Sequence, residues 1–295
     1  MKLGRRNIVL LAGLVLLCLL AAAVVYAVAR DENDLPRHPG RIAFRDGCGL
    51  RHMWPDGTDQ REMCLSSVWA ATSVSRDGKK LAWDTGQGSL SIAGSDGSNT
   101  TVLRVPPGAN FDPSLSPDAE KIAFLHSPRD NGRYDLWVGS TSLDNAEQLT
   151  NTRDASSVAW SPTGDWIAYV KDWSEVTLEG DIILIRPNGE DETILTRGDA
   201  PTWSPEGSRL AFAHEGDIWT IDADGSDSRK LIANGESPSW SRDGGLIAFT
   251  RELPCGKPVC RERVFVVGAG GGEAHGVGPT FAGPHSIAWL PDPHE

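Results

Sequence analysis

Basic residues are scarce in this 295-residue chain: 28 Lys and Arg stand against 40 Asp and Glu, a formal charge of −12. The few cations are dispersed, which argues against a nucleic-acid binder, because such a protein needs a basic face to displace phosphate counterions. Met is rarer still, at three, whereas Gly 32, Pro 19 and Trp 11 are well represented. That balance suits many short strands joined by turns better than helices. Cysteine is limited to five residues, and the Cys-x-x-Cys spacing of many zinc sites is absent.

One uncharged run, residues 8–29, stands apart from the rest and follows Lys2, Arg5 and Arg6. Its 22 residues would rise about 33 Å as a helix, enough to cross a bilayer core. Asp31, Glu32 and Asp34 follow it, so the charge asymmetry predicts a short cytoplasmic tail (residues 1–7), a transmembrane signal anchor (8–29) and an extracytoplasmic body. The competing reading is a cleaved signal peptide, since Ala27-Val28-Ala29 has the small-x-small form of a cleavage site. Cys18 reads as an apolar residue of the anchor. Residues 30–40, with Pro36 and Pro39, read as a linker. Beyond residue 29 there are 25 Lys and Arg and 40 Asp and Glu, so the body carries −15.

That body repeats itself. Thr202-Trp203-Ser204-Pro205-Glu206-Gly207, running into Leu210-Ala211-Phe212, is matched by Ser239-Trp240-Ser241-Arg242-Asp243-Gly244 and Ile247-Ala248-Phe249. The same frame holds around Ser75, Ser116 and Ser161, and the anchoring serines lie 41, 45, 43 and 37 residues apart. A period of about 40–45 predicts propeller blades of four strands. Ser-Pro-Asp-Gly supplies a tight turn, and the Asp-Gly or Asn-Gly pairs at 56–57, 96–97, 188–189 and 224–225 supply hairpins. The chain stops after a first strand around Trp289 and begins with a second strand at Arg41-Ile42-Ala43-Phe44. The expected fold is therefore all-β: a six-bladed β-propeller over residues 41–295, closed by pairing of its terminal strands and preceded by one transmembrane helix. Closure leaves no open sheet edges.

The pattern Pro-x-Trp-Ser-Pro-Asp-Gly, an Ala-Phe strand, then Asp-Ile-Trp-x-x-Asp-x-Asp-Gly, clearest in residues 200–231, resembles the WD40-like repeat of the TolB type. The resemblance implies a periplasmic propeller; TolB proteins bind a peptidoglycan-associated lipoprotein and carry an additional amino-terminal α/β domain, whose place here is taken by the anchor and linker. Prolyl-oligopeptidase relatives join such propellers to an α/β-hydrolase domain, but no Gly-x-Ser-x-Gly elbow is present, which removes that enzyme class.

Candidate sites follow from the frame. Long loops at 125–133, 170–180 and 250–262 gather on one face, as insertions do on the binding face of repeat proteins. Four residues before each inner-strand Trp, or its equivalent, stand Ala70, Phe111, Ser156, Asp199, Glu236 and His285. Asp199, Glu236 and His285 fall in consecutive repeats and form a candidate divalent-cation site. A second ring reads Asp46, Thr85, His126, Lys171, His214 and Arg251, of which His126, Lys171, His214 and Arg251 are candidates for partner contact. Trp160, Trp203, Trp240 and Trp289 share one repeat position and read as packing between blades, whereas Trp173 lies in a long loop and is the candidate exposed anchor. Asp222, Asp224 and Asp227 lack the acidic twelfth ligand of a calcium loop, and residues 268–272 read as a loose turn rather than a phosphate cradle. Cys48 with Cys64, and Cys255 with Cys260, are expected as disulfides in an oxidising compartment. The first closes a loop for which chain entropy gives about 3 kcal/mol.

Three functions remain in view: a non-enzymatic scaffold binding a protein or cell-envelope component, with no cofactor required; a metal-dependent lactonase or lyase using Asp199, Glu236 and His285; and a glycan-binding module using loop aromatics.

Overall fold

The structure is a computed structural model that describes residues 40–46, 49–63, 72–103, 105–129, 132–142, 145–174, 176–254, 261–281 and 287–291. The expected anchor at 8–29 lies outside the described residues, as do Cys48, Cys64, Cys255, Cys260 and His285. Among the described residues there is no helix, and hence none long and apolar enough to cross a membrane.

Strands β1 (Arg41–Asp46), β2 (Gly49–Met53) and β3 (Arg61–Met63) open the body. A second sheet holds β4 (Thr72–Val74), β5 (Lys80–Asp84), β6 (Leu90–Gly94) and β7 (Thr101–Val102) in that order. A third holds β8 (Ala109–Leu115), β9 (Lys121–Ser127), β10 (Asp135–Ser140) and β11 (Glu147–Gln148). Then β12 (Ser156–Trp160), β13 (Ile167–Ser174), β14 (Glu179–Ile185), β15 (Thr193–Trp203), β16 (Arg209–His214), β17 (Asp217–Asp222) and β18 (Arg229–Ile232) form one sheet of seven. A four-stranded sheet of β19 (Glu236–Trp240), β20 (Leu246–Glu252), β21 (Glu262–Gly268) and β22 (His275–Phe281) follows. The last strand, β23 (Ile287–Leu290), returns to pair with β1, matching Ile42 with Trp289 and Phe44 with Ile287.

The fold is all-β and propeller-like, and every strand pairing is antiparallel. It differs from six separate four-stranded blades: among the described residues it has four four-stranded sheets and one of seven strands. The cause is the eleven-residue β15, whose first half pairs with β14 through Gly198 while its second half, from Asp199, pairs with β16. Gly198 makes this passage possible, because a Cβ there would lie 2.6 Å from the Phe212 ring and 2.7 Å from the Ala213 carbonyl.

The repeated residues have repeated physical jobs. In four of the turns after inner strands the serine is buried and its Oγ accepts a backbone N–H five residues on: Lys80 to Ser75 (2.9 Å), Lys121 to Ser116 (2.9 Å), Arg209 to Ser204 (3.1 Å) and Leu246 to Ser241 (2.8 Å). The Asp of the turn accepts the serine hydroxyl and the amide two residues ahead, as Asp77 does from Ser75 and Lys79. Those bonds hold the Asp77 carboxyl below its usual range. Gly78 and Gly244 close their turns at φ of +72° and +73°, the left-handed region that a Cβ disfavours.

The core lies between neighbouring repeats. Trp160 packs in one cluster with Ala123 of the preceding repeat, Trp203 with Ala168 and Trp240 with Ala211, so the small residue of each Ala-Phe strand makes room for the next indole. Trp203 Nε1 donates to Ala159 O (3.1 Å) and Trp289 Nε1 to Ser239 O (2.9 Å). Phe44, Phe124, Phe212 and Phe249 are fully buried, each removal from water being worth roughly 1.5–3 kcal/mol.

Candidate binding channel

The inner strands β4, β8, β12, the second half of β15, β19 and β23 surround a cavity of about 840 Å³. Its lining includes one small side chain from each inner strand: Ser73, Ser114, Ala159, Thr202, Ser239 and Ala288. Two of them tie repeats together, since Ser73 Oγ accepts the Leu115 amide (2.9 Å) and Ser114 Oγ accepts the Trp160 amide (2.8 Å).

Each of four inner strands is broken near its start by a bulge, where register shifts between 111 and 114, 156 and 159, 199 and 202, and 236 and 239. The residue that absorbs the shift is left-handed every time: Asp112 (φ 51°), Ser157 (47°), Ala200 (48°) and Ser237 (50°). Four strained positions at one level of a ring re-aim side chains at the channel mouth, as bulges do beside functional sites.

The result is a recessed acidic rim. Asp112 lines the channel and its Oδ2 accepts the Val158 amide at 2.5 Å. Burial, with the charges of Asp84 and Asp199 added, pushes its carboxyl up to about 7 against the pull of that amide. Asp199 is raised too, chiefly by burial; hydrogen bonds from the Ser157 hydroxyl (2.7 Å), the Ala200 amide and the Trp173 indole partly offset this. Close by, the buried Glu179 accepts His214 Nδ1 at 3.0 Å and the Glu215 amide.

Above this rim stands the β13–β14 hairpin. Its tip is apolar and open to solvent: Trp173 is 38 %, Leu178 58 % and Val176 92 % exposed.

The opposite mouth carries two arginines among the acids of the turns, and Arg242 adds to the hydrogen bonds from Ser75 and Lys79 in holding the Asp77 carboxyl below its usual range. At the repeat position where Pro117, Pro162 and Pro205 stand, two repeats carry Arg76 and Arg242, and both line the channel. Arg76 Nη1 donates to Pro162 O (2.7 Å) and Arg242 Nη2 to Arg76 O (2.9 Å), each reaching past the adjacent repeat. Among the described residues neither guanidinium has a carboxylate within ion-pair distance.

The residues singled out from sequence meet different fates. Trp173 is exposed, near the end of β13 in the β13–β14 hairpin. His126 is buried, its Nδ1 2.9 Å from Asn110 Oδ1 and its ring edge-on to Trp137. Lys171 pairs with Glu192 at 3.0 Å, and His214 with Glu179. Arg251 lies 4.5 Å over the Phe265 ring and donates to the carbonyls of Asn234 and Ala233. Glu236 is exposed; burial, with the charges of Glu236 and Glu252 added, raises the Glu262 carboxyl to about 7. Among the described residues no three His, Cys, Asp or Glu side chains are grouped to hold a metal. Asp112, Arg76 and Arg242 were not anticipated. A bulge shifts Asp112 into the site, and the arginines differ from the repeat consensus at a position where only departure from proline signals them.

No protein-family model matches the sequence. The chain is 29 % identical over 111 residues to the uncharacterized protein YidR of Escherichia coli K12, which covers 37 % of this chain and 26 % of YidR, so the match spans about a quarter of that relative. In structure it is similar to TolB from Acinetobacter baumannii, with a TM-score of 0.70 at 19 % identity, covering 86 % of this chain and 67 % of that one. It is also similar to a chain of the nidogen–laminin complex, with a TM-score of 0.67 at 14 % identity, covering 84 % and 97 %. The fold of this chain is that of the TolB-type propellers.

Proposed function

We propose that the protein is a non-enzymatic binding scaffold that receives a protein partner at the loop-bearing mouth of its channel. The observation that carries this reading is the apolar tip of the β13–β14 hairpin, where Trp173, Val176 and Leu178 are exposed, with Trp173 near enough to influence the Asp199 carboxyl. Aromatic and aliphatic anchors beside desolvated charge are the makings of an interface hot spot. The partner's complementary surface is apolar and basic, in keeping with a body at −15. TolB and the nidogen–laminin chain share the fold and support the reading by analogy alone.

The fuller form of the proposal is a six-bladed ring in which β15 serves two blades, held outside the membrane by residues 8–29. The alternative is a metal-dependent lactonase or lyase with Asp199, Glu236 and His285 as ligands, of which His285 lies outside the described residues.

A photo-crosslinking amino acid at position 176 of the full chain, in its native cells, tests the scaffold. A protein adduct at 176 that is absent when the crosslinker stands at 102 or 194 is expected. Adducts with polysaccharide alone, or equal yields at all three positions, would refute it.

A further inference from the structure

The channel has two poles. Asp112 lines one end and Pro117, in the same strand and turn, the other; five residues of strand span about 17 Å. Around the first end lie the carboxylates of Asp112 and Asp199, and around the second the guanidiniums of Arg76 and Arg242. Between them the wall is hydroxyl, proline, aliphatic and indole surface, and among the described residues no further Lys, His, Asp or Glu lines it. The arginines are not needed by the turn, because proline fills the same position at 117, 162 and 205. A guanidinium carries five N–H donors, and among the described residues each of these two donates to one carbonyl.

We propose that the channel is a receptor for the free carboxyl terminus of an extended peptide, inserted carboxylate first. The terminal carboxylate meets Arg76 and Arg242, which present the fork geometry that carboxylates accept. A basic side chain or amine about five residues back is then held at the Asp112–Asp199 rim. The cavity of about 840 Å³ among the inner strands admits the strand, and the apolar hairpin tip contacts whatever precedes it. This rests on the scaffold reading above and adds to it the direction and chemistry of the occupant.

The test uses the full chain in detergent and dye-labelled hexapeptides of the form Lys-Ser-Ala-Ser-Ala-Ala, with the dye joined through a spacer at the amino end. Fluorescence polarisation is measured for the free acid and the carboxyl-terminal amide. The acid is expected to bind about tenfold or more tightly, a difference of about 1.4 kcal/mol. Arg76→Gln with Arg242→Gln should bring acid and amide together, whereas Asp112→Asn should weaken both in equal proportion. A purely structural role for the arginines would lower the melting temperature and leave the acid-to-amide ratio unchanged, and that result would overturn the proposal. Equal binding of acid and amide by the unaltered protein, or binding of neither, would overturn it as well. If the position-176 adduct persists in either case, the scaffold reading stands and only the polarity fails.

Discussion

The backbone amide of Val158 donates to Oδ2 of Asp112 at 2.5 Å, so that one carboxylate on β8 fastens the bulge of β12 at the channel mouth. The bond accounts for one carboxyl oxygen and leaves the group in a setting where burial and two neighbouring acids resist its charge.

The pH dependence of stability follows from that conflict. In the unfolded chain Asp112 titrates near 3.8, and in the folded chain at about 7. The folded protein therefore keeps a proton that the unfolded chain releases, and stability falls as pH rises from about 4 to about 7. A shift of that size corresponds to at most about 4 kcal/mol. Asn at 112 retains an acceptor for Val158 and tolerates a left-handed φ. Urea denaturation should show Asp112→Asn close to wild type at pH 5 and more stable at pH 8. Glu262, raised to about 7 by burial and by Glu236 and Glu252, acts in the same direction, so Glu262→Gln should flatten the profile further. Parallel profiles for all three proteins would contradict this.

Ser241→Ala measures the repeated turn. The Ser241 hydroxyl is fully buried, accepts the Leu246 amide at 2.8 Å and donates to Asp243 at 2.6 Å. Its removal strands a buried N–H, at a cost of about 1–3 kcal/mol. Chemical denaturation should register that loss, with no change in affinity for the partner trapped at position 176.

Two tryptophans should separate packing from recognition. Trp203 is 7 % exposed, packs among Ala168, Leu210 and Phe212, and bonds the Ala159 carbonyl. Trp203→Ala should cost about 3–5 kcal/mol. Trp173→Ala, at a site 38 % exposed, should change stability by about 0.5 kcal/mol or less and weaken partner binding by at least about tenfold. A thermal melt and a binding titration on each variant decide the matter; a large melt shift in the second would show the hairpin tip to be structural.

The repeat frame was legible because it is enforced locally. Ser, Asp and Gly recur in the turn since each satisfies a bond or a φ made within six residues, and the indole recurs since each meets an alanine one repeat earlier. The shared strand β15 was not legible, because whether a chain pauses between two sheets depends on the packing of Phe212 against Gly198 and not on any turn signal nearby.

The same division runs through the site. Trp173 announced itself as an aromatic in a long loop, and Asp199 as an acid near the channel. Asp112 did not, because the frame counts residues along a regular strand and the bulge adds one, moving the effective position from four before the tryptophan to three. His126 shows the converse: a histidine in a loop-facing ring position is taken into the core by Asn110 and Trp137.

What the sequence determined by itself, then, is the unit: the alternation of apolar strands, the turn chemistry that joins them and the pairing of β1 with β23, all consequences of short-range hydrogen bonding and side-chain period. The tertiary structure alone decided how the units share a strand and which charges meet at each mouth of the channel. Those outcomes depend on contacts between residues 42 to 166 positions apart, such as Ser157 with Asp199 and Arg242 with the Arg76 carbonyl, where distance along the chain carries no information about distance in space.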